Sequence, residues 1–213
     1  SRLYQIKYNL LEKFIHISTD EVYGESNIDI NEKGKTEQSI LCPTNPYAAS
    51  KSGAELICQS YFHSFKLPII ITRGNNVYGL NQYPEKLIPK FIKQLNEGNP
   101  VTIQGDGKSL RSFLHVYDTV TALTCILQKG KIGEIYNIGS DIGGEYTVNN
   151  IADILISIIK PTDNINTWKT YIKDRPFNDK RYFIDNKKLK SLGWNITVDL
   201  EKGLHELISG VKI

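Results

Sequence analysis

The chain reads as an α/β protein built on a parallel sheet, and three features of its 213 residues say so. The runs Phe14 to Ile17 and Ile69 to Thr72 are apolar and partly β-branched, the pattern of strands buried on both faces. Between them Pro46 to Phe65 has the length of a helix, introduced by Asn45 as a preferred N-cap and by Pro46 as a first-turn residue. Strand, crossover helix and strand make a βαβ unit, the connection that parallel neighbours need.

The other elements follow in order. Arg2 to Lys13 reads as the tail of a helix running into the first strand. After the βαβ unit, Lys86 to Glu97 reads as a helix ended by Gly98, and Val101 to Ile103 as a short strand before the turn Gly105-Asp106-Gly107. Tyr117 to Gln128 is predicted helical, Ile135 to Ile138 extended, and Thr147 to Ile159 an amphipathic helix. Pro161 to Lys173 is polar and without period, which predicts a surface connection. Asp185 to Leu192 reads as a short helix stopped by Gly193, and Asp199 to Ile208 as the last one.

With 40% hydrophobic and 23% charged residues the chain has the balance of a globular protein, and its length can bury a core for one or two domains. A net charge of +3 gives no argument for a nucleic-acid partner, and the cluster Lys187, Lys188, Lys190 is expected to be a solvated helix face. No apolar run approaches the roughly 20 residues that span a bilayer, so no membrane partner is expected. Cys42, Cys58 and Cys125 are odd in number and widely spaced, which points to a reducing, cytoplasmic compartment and not to a disulfide framework or a zinc site. The four histidines are scattered as well; no metal is expected, and His16 is read as a satisfied packing residue of the first strand.

Two segments carry chemistry. Ser18-Thr19-Asp20-Glu21-Val22-Tyr23-Gly24 puts a hydroxyl and two carboxylates at the end of the first strand. Tyr47 and Lys51, four residues apart on one helix face, pair a phenol with an ammonium that favours the phenolate and so lowers its pKa towards that of a general base. Adjacent residues of a regular strand point to opposite faces, so Asp20 and Glu21 can share a site only if the chain leaves the strand at or before Asp20.

In this order the motifs resemble the extended short-chain dehydrogenase/reductases, and within them the nucleotide-sugar 4,6-dehydratases of the dTDP-glucose type. The likeness rests on FIHISTDEVYG from Phe14, NPYAASK from Asn45, YPEKLIP from Tyr83, the region of Arg111, GEIYNIGS from Gly133 and DRPFNDKRY from Asp174. It implies the C-terminal part of a Rossmann-like parallel-sheet domain plus a smaller α/β substrate-binding domain. Residues 1-82 would belong to the NAD-binding domain and 83-213 mainly to the nucleotide-sugar-binding one, the two interleaving. The glycine-rich GxxGxxG turn of such domains is not in the sequence, which starts at Ser1 and contains no Met. Both facts predict a chain lacking the first half of the cofactor domain, weak in NAD binding and inactive alone, with a sheet edge left bare.

The resemblance further implies roles. NAD would take hydride from C4 of the glucosyl ring, water would leave across C5 and C6, and the hydride would return to C6. Tyr47 would remove the C4 hydroxyl proton, with Lys51 depressing its pKa and holding the nicotinamide ribose, and Thr19 would hydrogen-bond the sugar oxygen. Glu21 would take the C5 proton and Asp20 would protonate the departing C6 hydroxyl. For the nucleotide sugar it points to Asn76, Lys86, Leu87, Thr102, Ile103, Gln104, Arg111, Asn137, Asp174, Arg175 and Asn178. Arg111 and Arg175 suit a pyrophosphate because guanidinium forks bind phosphate oxygens in pairs.

Many bacterial relatives have Gly-His where Phe177-Asn178 stands and Tyr where Gln104 stands, which leaves dTDP and UDP both open as carrier. A homodimer is implied, its seam the Tyr47 helix and the long helix after it, and the spread of Ala48, Leu56, Ile57 and Tyr61 over more than one face agrees. The other readings are an epimerase or decarboxylase of the same family, against which Asp20 speaks, and a non-catalytic scaffold, against which the intact Thr19, Asp20, Glu21, Tyr47 and Lys51 speak.

Overall fold

The computed structural model describes residues 2–28 and 32–210. Strand β1 (Phe14–Thr19) follows a first helix α1 (Arg2–Tyr8), and helix α2 (Pro46–Phe65) carries the chain over to β2 (Ile69–Gly74). β1 and β2 pair in parallel from Phe14 against Ile69 to Thr19 against Gly74, so the βαβ unit stands as predicted. Asn45 caps α2 by accepting the Ala48 N–H at 2.8 Å, and Pro46 takes the first helical position, where a missing N–H costs nothing.

Beyond β2 the chain passes through Asn75 into β3 (Asn76–Tyr78), then α3 (Leu87–Asn96), β4 (Val101–Gln104), β5 (Leu110–His115) and α4 (Val116–Lys129). β6 (Ile135–Ile138) returns to the first sheet, in the order β1-β2-β6, all parallel. β7 (Glu145–Thr147) pairs antiparallel with β5, which pairs parallel with β3, making the second sheet. The chain ends through α5 (Val148–Ile159), β8 (Lys169–Ile172), α6 (Lys187–Lys190) and α7 (Leu200–Ser209).

Two larger cores sit on either side of this arrangement. Ile70, Tyr136 and Ile138 of the first sheet pack with Ala122 and Ile126 of α4, and with Leu189 and Trp194. Tyr78, Phe91, Leu95, Ile103, Ile151, Leu155 and Leu204 form the other, where α3, α5 and α7 close on β3 and β4. α5 begins with a reciprocal cap, Thr147 Oγ1 accepting the Asn150 N–H and Asn150 Oδ1 accepting the Thr147 N–H, which fixes its entry into this core.

Three predictions need correction. Pro161 to Lys173 is not only a connection: Ile165–Trp168 forms a 3-10 turn, and β8 pairs in parallel with β4. Only Lys169 of β8 is partly covered and its other residues are exposed, so no apolar face marked it in the sequence. The lysine cluster is not simply solvated either, since Lys188 bonds Glu134 at 2.7 Å and Lys190 bonds Asp141 at 2.6 Å. Finally, His16 is half-buried with its Nε2 unpartnered; burial and the nearby Lys51 ammonium lower its pKa, which keeps the ring neutral.

Candidate active site

β1 ends at Thr19, and Asp20–Tyr23 wind into a 3-10 turn, so the chain leaves the strand where two adjacent acids can share a site. Thr19 closes that turn: its Oγ1 accepts the Glu21 N–H at 3.4 Å and donates to Asp20 Oδ1 at 3.2 Å. Gly24 follows with φ 74°, and a Cβ there would lie 2.2 Å from the Cys42 carbonyl oxygen, so the turn exits only through glycine.

The two acids have unlike surroundings. Asp20 is 5% exposed, and Asn75 Nδ2 donates to its Oδ2 at 2.6 Å. Burial pushes its pKa up to about 6; the Asn75 hydrogen bond pulls down, the Glu21 charge pushes up, and Thr19 and Arg111 pull down. Glu21 is half-buried and accepts at Oε2 from Asn45 Nδ2 at 2.9 Å. The residue that caps α2 with its oxygen thus holds a carboxylate with its nitrogen.

Tyr47 stands in the first turn of α2, 53% exposed, beside this pair. Its pKa is raised, chiefly by burial and then by the Glu21 carboxylate, with the Thr19 hydroxyl pulling the other way. That reverses the expectation that Lys51 depresses it. The Lys51 ammonium donates instead to the Ile17 carbonyl at 2.6 Å, while the carboxylates act on the phenol.

Thr19, Asp20, Glu21 and Tyr47 line a cavity of about 360 Å³ at the C-terminal ends of β1 and β2, with Ile17, Leu123 and Ile138 as apolar wall. A second, about 240 Å³, adjoins it and is lined by Asn76, Lys86, Leu87, Thr102, Gln104, Arg111, Arg175 and Asn178. Asn76, Gln82 and Lys86 border both, so the two form one cleft between the sheets. Eight of the predicted nucleotide-sugar residues therefore meet. Within the second cavity Arg175 Nε donates to Gln104 Oε1 at 2.7 Å, and Arg111 donates to Asn178 Oδ1 at 2.9 Å and to the Asp179 carbonyl.

Three do not line it. Ile103 is fully buried in the core. Asn137 is fully buried too, donating to the Lys35 and Asp185 carbonyls and accepting from Tyr23 Oη, so it ties loops to the sheet. Asp174 lies outside and accepts from the Arg175 N–H. Sequence reading missed Asn75 and Gln82, and took Asn45 for a cap alone; its place just before Pro46 marked it as an N-cap, and that says nothing of Glu21. It also missed a buried ion pair beneath the site, Arg73 donating to Glu55 at 2.6 Å and to Tyr23 Oη at 2.8 Å.

The sequence profile of the NAD dependent epimerase/dehydratase family matches residues 3–139. The chain belongs to that family. Among its relatives, the trifunctional UDP-glucose 4,6-dehydratase/UDP-4-keto-6-deoxy-D-glucose 3,5-epimerase/UDP-4-keto-L-rhamnose-reductase of Arabidopsis thaliana is 47% identical over 92% of this chain and 29% of its own length. The dTDP-D-glucose 4,6-dehydratase of Homo sapiens is 46% identical over 93% of this chain and 56% of its own. The chain thus spans about half the length or less of the curated relatives it matches. Within the same family, the crystal structure of dTDP-glucose 4,6-dehydratase from Bacillus anthracis in complex with NAD superposes with a TM-score of 0.88 at 35% identity, over 98% of this chain and 64% of that one. The fold is accordingly the Rossmann-type α/β fold of these dehydratases and epimerases.

Proposed function

We propose that this chain carries the acid–base half and the nucleotide-sugar cleft of a 4,6-dehydratase that turns dTDP-glucose or UDP-glucose into its 4-keto-6-deoxy sugar. The observation that supports this most is the unequal pair Asp20 and Glu21: adjacent acids, one buried and pushed up to about 6, the other half-exposed and held by a hydrogen-bond donor. A dehydration needs an acid and a base at one site, and unlike environments supply both near neutral pH. An epimerase or decarboxylase has no use for the acid at Asp20.

Residues 1-82 belong to the cofactor-binding domain, which also carries the acid–base residues, and 83-213 mainly to the nucleotide-sugar-binding one, the two interleaving. The cavity beside Tyr47 and Lys51 fits a nicotinamide, with an apolar wall of Ile17, Leu123 and Ile138 and polar groups at one rim. NAD bound there would supply the hydride acceptor. Tyr47 takes the C4 hydroxyl proton, Lys51 uses its remaining N–H groups on the ribose, Thr19 orients the sugar, Glu21 removes the C5 proton and Asp20 gives a proton to the leaving C6 hydroxyl. Arg111 and Arg175 face the pyrophosphate.

The protein works as a cytoplasmic homodimer: its three cysteines are free, and Leu56 and Ile57 of α2 are 57% and 61% exposed on a helix whose other side covers the sheet. Mass spectrometry of dTDP-glucose and UDP-glucose incubated with the protein in its full natural length tests the reaction. Loss of one water is expected; an unchanged mass with inverted stereochemistry, or no turnover of either sugar, would overturn it.

A further inference from the structure

Asn75 occupies the single-residue link between β2 and β3, where the chain crosses from the first sheet to the second. Its backbone N–H donates to the Ile138 carbonyl at 3.0 Å, and its side-chain Oδ1 accepts the Ser140 N–H at 3.0 Å. A Cβ on Gly139 would lie 2.6 Å from that same oxygen, so glycine there leaves the amide its space. A backbone N–H only donates, so the amide oxygen must face Ser140 and the NH₂ must face Asp20. Asn75 is 7% exposed, and its NH₂ meets Asp20 Oδ2 at 2.6 Å.

We propose that Asn75 is a positioning residue that assigns the Asp20 proton to Oδ1, the oxygen facing Thr19, and so sets which way the Thr19 hydroxyl donates. The oxygen that accepts a short hydrogen bond from a fixed NH₂ is the carbonyl oxygen of the protonated acid, which leaves Oδ1 as the hydroxyl oxygen. With Asp20 ionised, Thr19 donates to Oδ1, and this is the 3.2 Å contact. With Asp20 protonated, Oδ1–H donates to one lone pair of Thr19 Oγ1 while the other accepts the Glu21 N–H. The Thr19 hydrogen is then released to a sugar oxygen, so the acid and the hydroxyl are ready for substrate in the same protonation state. One proton is gained and no covalent bond between heavy atoms changes.

The charged and titratable groups around Asp20 are Glu21 on its own turn, Tyr47 on α2 and Arg111 on β5. Burial and, against it, the Asn75 hydrogen bond act on the Asp20 titration more strongly than these charges do, and Asn75 in addition sets where the proton sits.

The inference rests on the dehydratase reading, and the experiment separates the two. In the full-length protein, Asn75→Asp keeps an acceptor for Ser140 but puts a second carboxyl against Asp20 Oδ2, and two such groups cannot both ionise freely. The rate of water loss after oxidation, measured against pH, should keep its acidic form to higher pH, the alkaline limb moving up by about one unit or more, and water loss should change at least about tenfold more than NADH formation. An equal loss of both steps with an unmoved limb would reduce Asn75 to a structural residue and overturn the proposal.

Infrared spectra of protein with carboxyl-labelled aspartate give a readout that needs no turnover. The acid C=O band lost in Asp20→Asn should shift in Thr19→Val, where Oδ1–H loses its acceptor; a band indifferent to Thr19→Val would refute the assignment. If wild type forms no NADH with either sugar nucleotide, the dehydratase reading fails while the infrared result still decides the proton's place.

Discussion

Asp20 shows how one position can trade stability for chemistry. Its folded pKa, pushed up to about 6, lies above that of an exposed aspartate, so the native state holds the proton more tightly than the unfolded chain. That contribution is fully present below about pH 4, and it is lost as pH rises through the folded value. The difference is on the order of 3 kcal/mol between the ends of that window. Asp20→Asn should therefore be more stable than wild type in urea at pH 8 and nearly equal at pH 4. An equal gap at both pH values would show that burial does not set this titration.

Three of the five catalytic candidates separate by step. Tyr47→Phe should abolish NADH formation and product together, since no hydride leaves C4 without loss of the hydroxyl proton. Glu21→Gln should leave oxidation partly intact, letting NADH and the 4-keto sugar accumulate while deuterium exchange at C5 falls. Asp20→Asn should slow water loss with C5 exchange less impaired. Stopped-flow absorbance of NADH, combined with deuterium incorporation at C5, checks the division. At this scale residue type, spacing and the resemblance singled out Thr19, Asp20, Glu21 and Tyr47, which the structure sets around one cavity. They were not enough to find Asn75, whose partners Ser140 and Asp20 lie 65 and 55 residues away in sequence. The direction of the Tyr47 shift was hidden too, because it depends on where the Lys51 side chain ends up.

At the scale of elements, the α2 N-terminus joins helix and site through Asn45. Asn45→Ala should cost about 1 kcal/mol for the lost cap and release Glu21. Asn45→Asp keeps an acceptor for the Ala48 N–H but turns a donor into a second carboxylate facing Glu21. Melting temperature close to wild type with a clear drop in turnover is expected for Asp, and a drop in both for Ala. The helix and its cap were readable, since Asn-Pro before a long helical pattern has a local cause. β8 was not: an exposed edge strand needs no apolar face, and its pairing with β4 is a long-range fact. Nor was β5, whose run Leu110–His115 mixes inward and outward residues beside a turn. Beneath these elements Glu55 and Arg73 pair at 2.6 Å with side chains 0% and 2% exposed. Glu55→Gln should destabilise by about 3 to 5 kcal/mol by stranding the guanidinium, while replacing both by Leu and Met should cost much less. Urea unfolding of the single and double variants measures this.

The molecule as a whole is organised by one crossing. β6 returns to the first sheet after the chain has already built part of the second, so neither sheet is a continuous stretch of sequence. Interleaving of this kind came from the resemblance and not from periodicity, which sees only neighbours along the chain. On the outer side of α2, Leu56 and Ile57 remain uncovered. Light scattering of the full-length protein at tens of micromolar should give twice the chain mass, and Leu56→Asp with Ile57→Asp should halve it. A monomeric mass for wild type would remove the homodimer.

The shared border of the two cavities, at Asn76, Gln82 and Lys86, also has a thermodynamic consequence. On the proposed function, one sugar nucleotide would reach from the second space into the first, so that with the nucleotide end seated the hexose would be tethered beside Asp20 at an effective concentration on the order of millimolar or more. Nucleoside diphosphate and glucose offered separately forfeit that tether. Together they should occupy the cleft far more weakly than the product of their affinities would give when joined, and the unlinked hexose should be lost in turnover as well as in binding, because the grip on the nucleotide is what holds the ring against the acids.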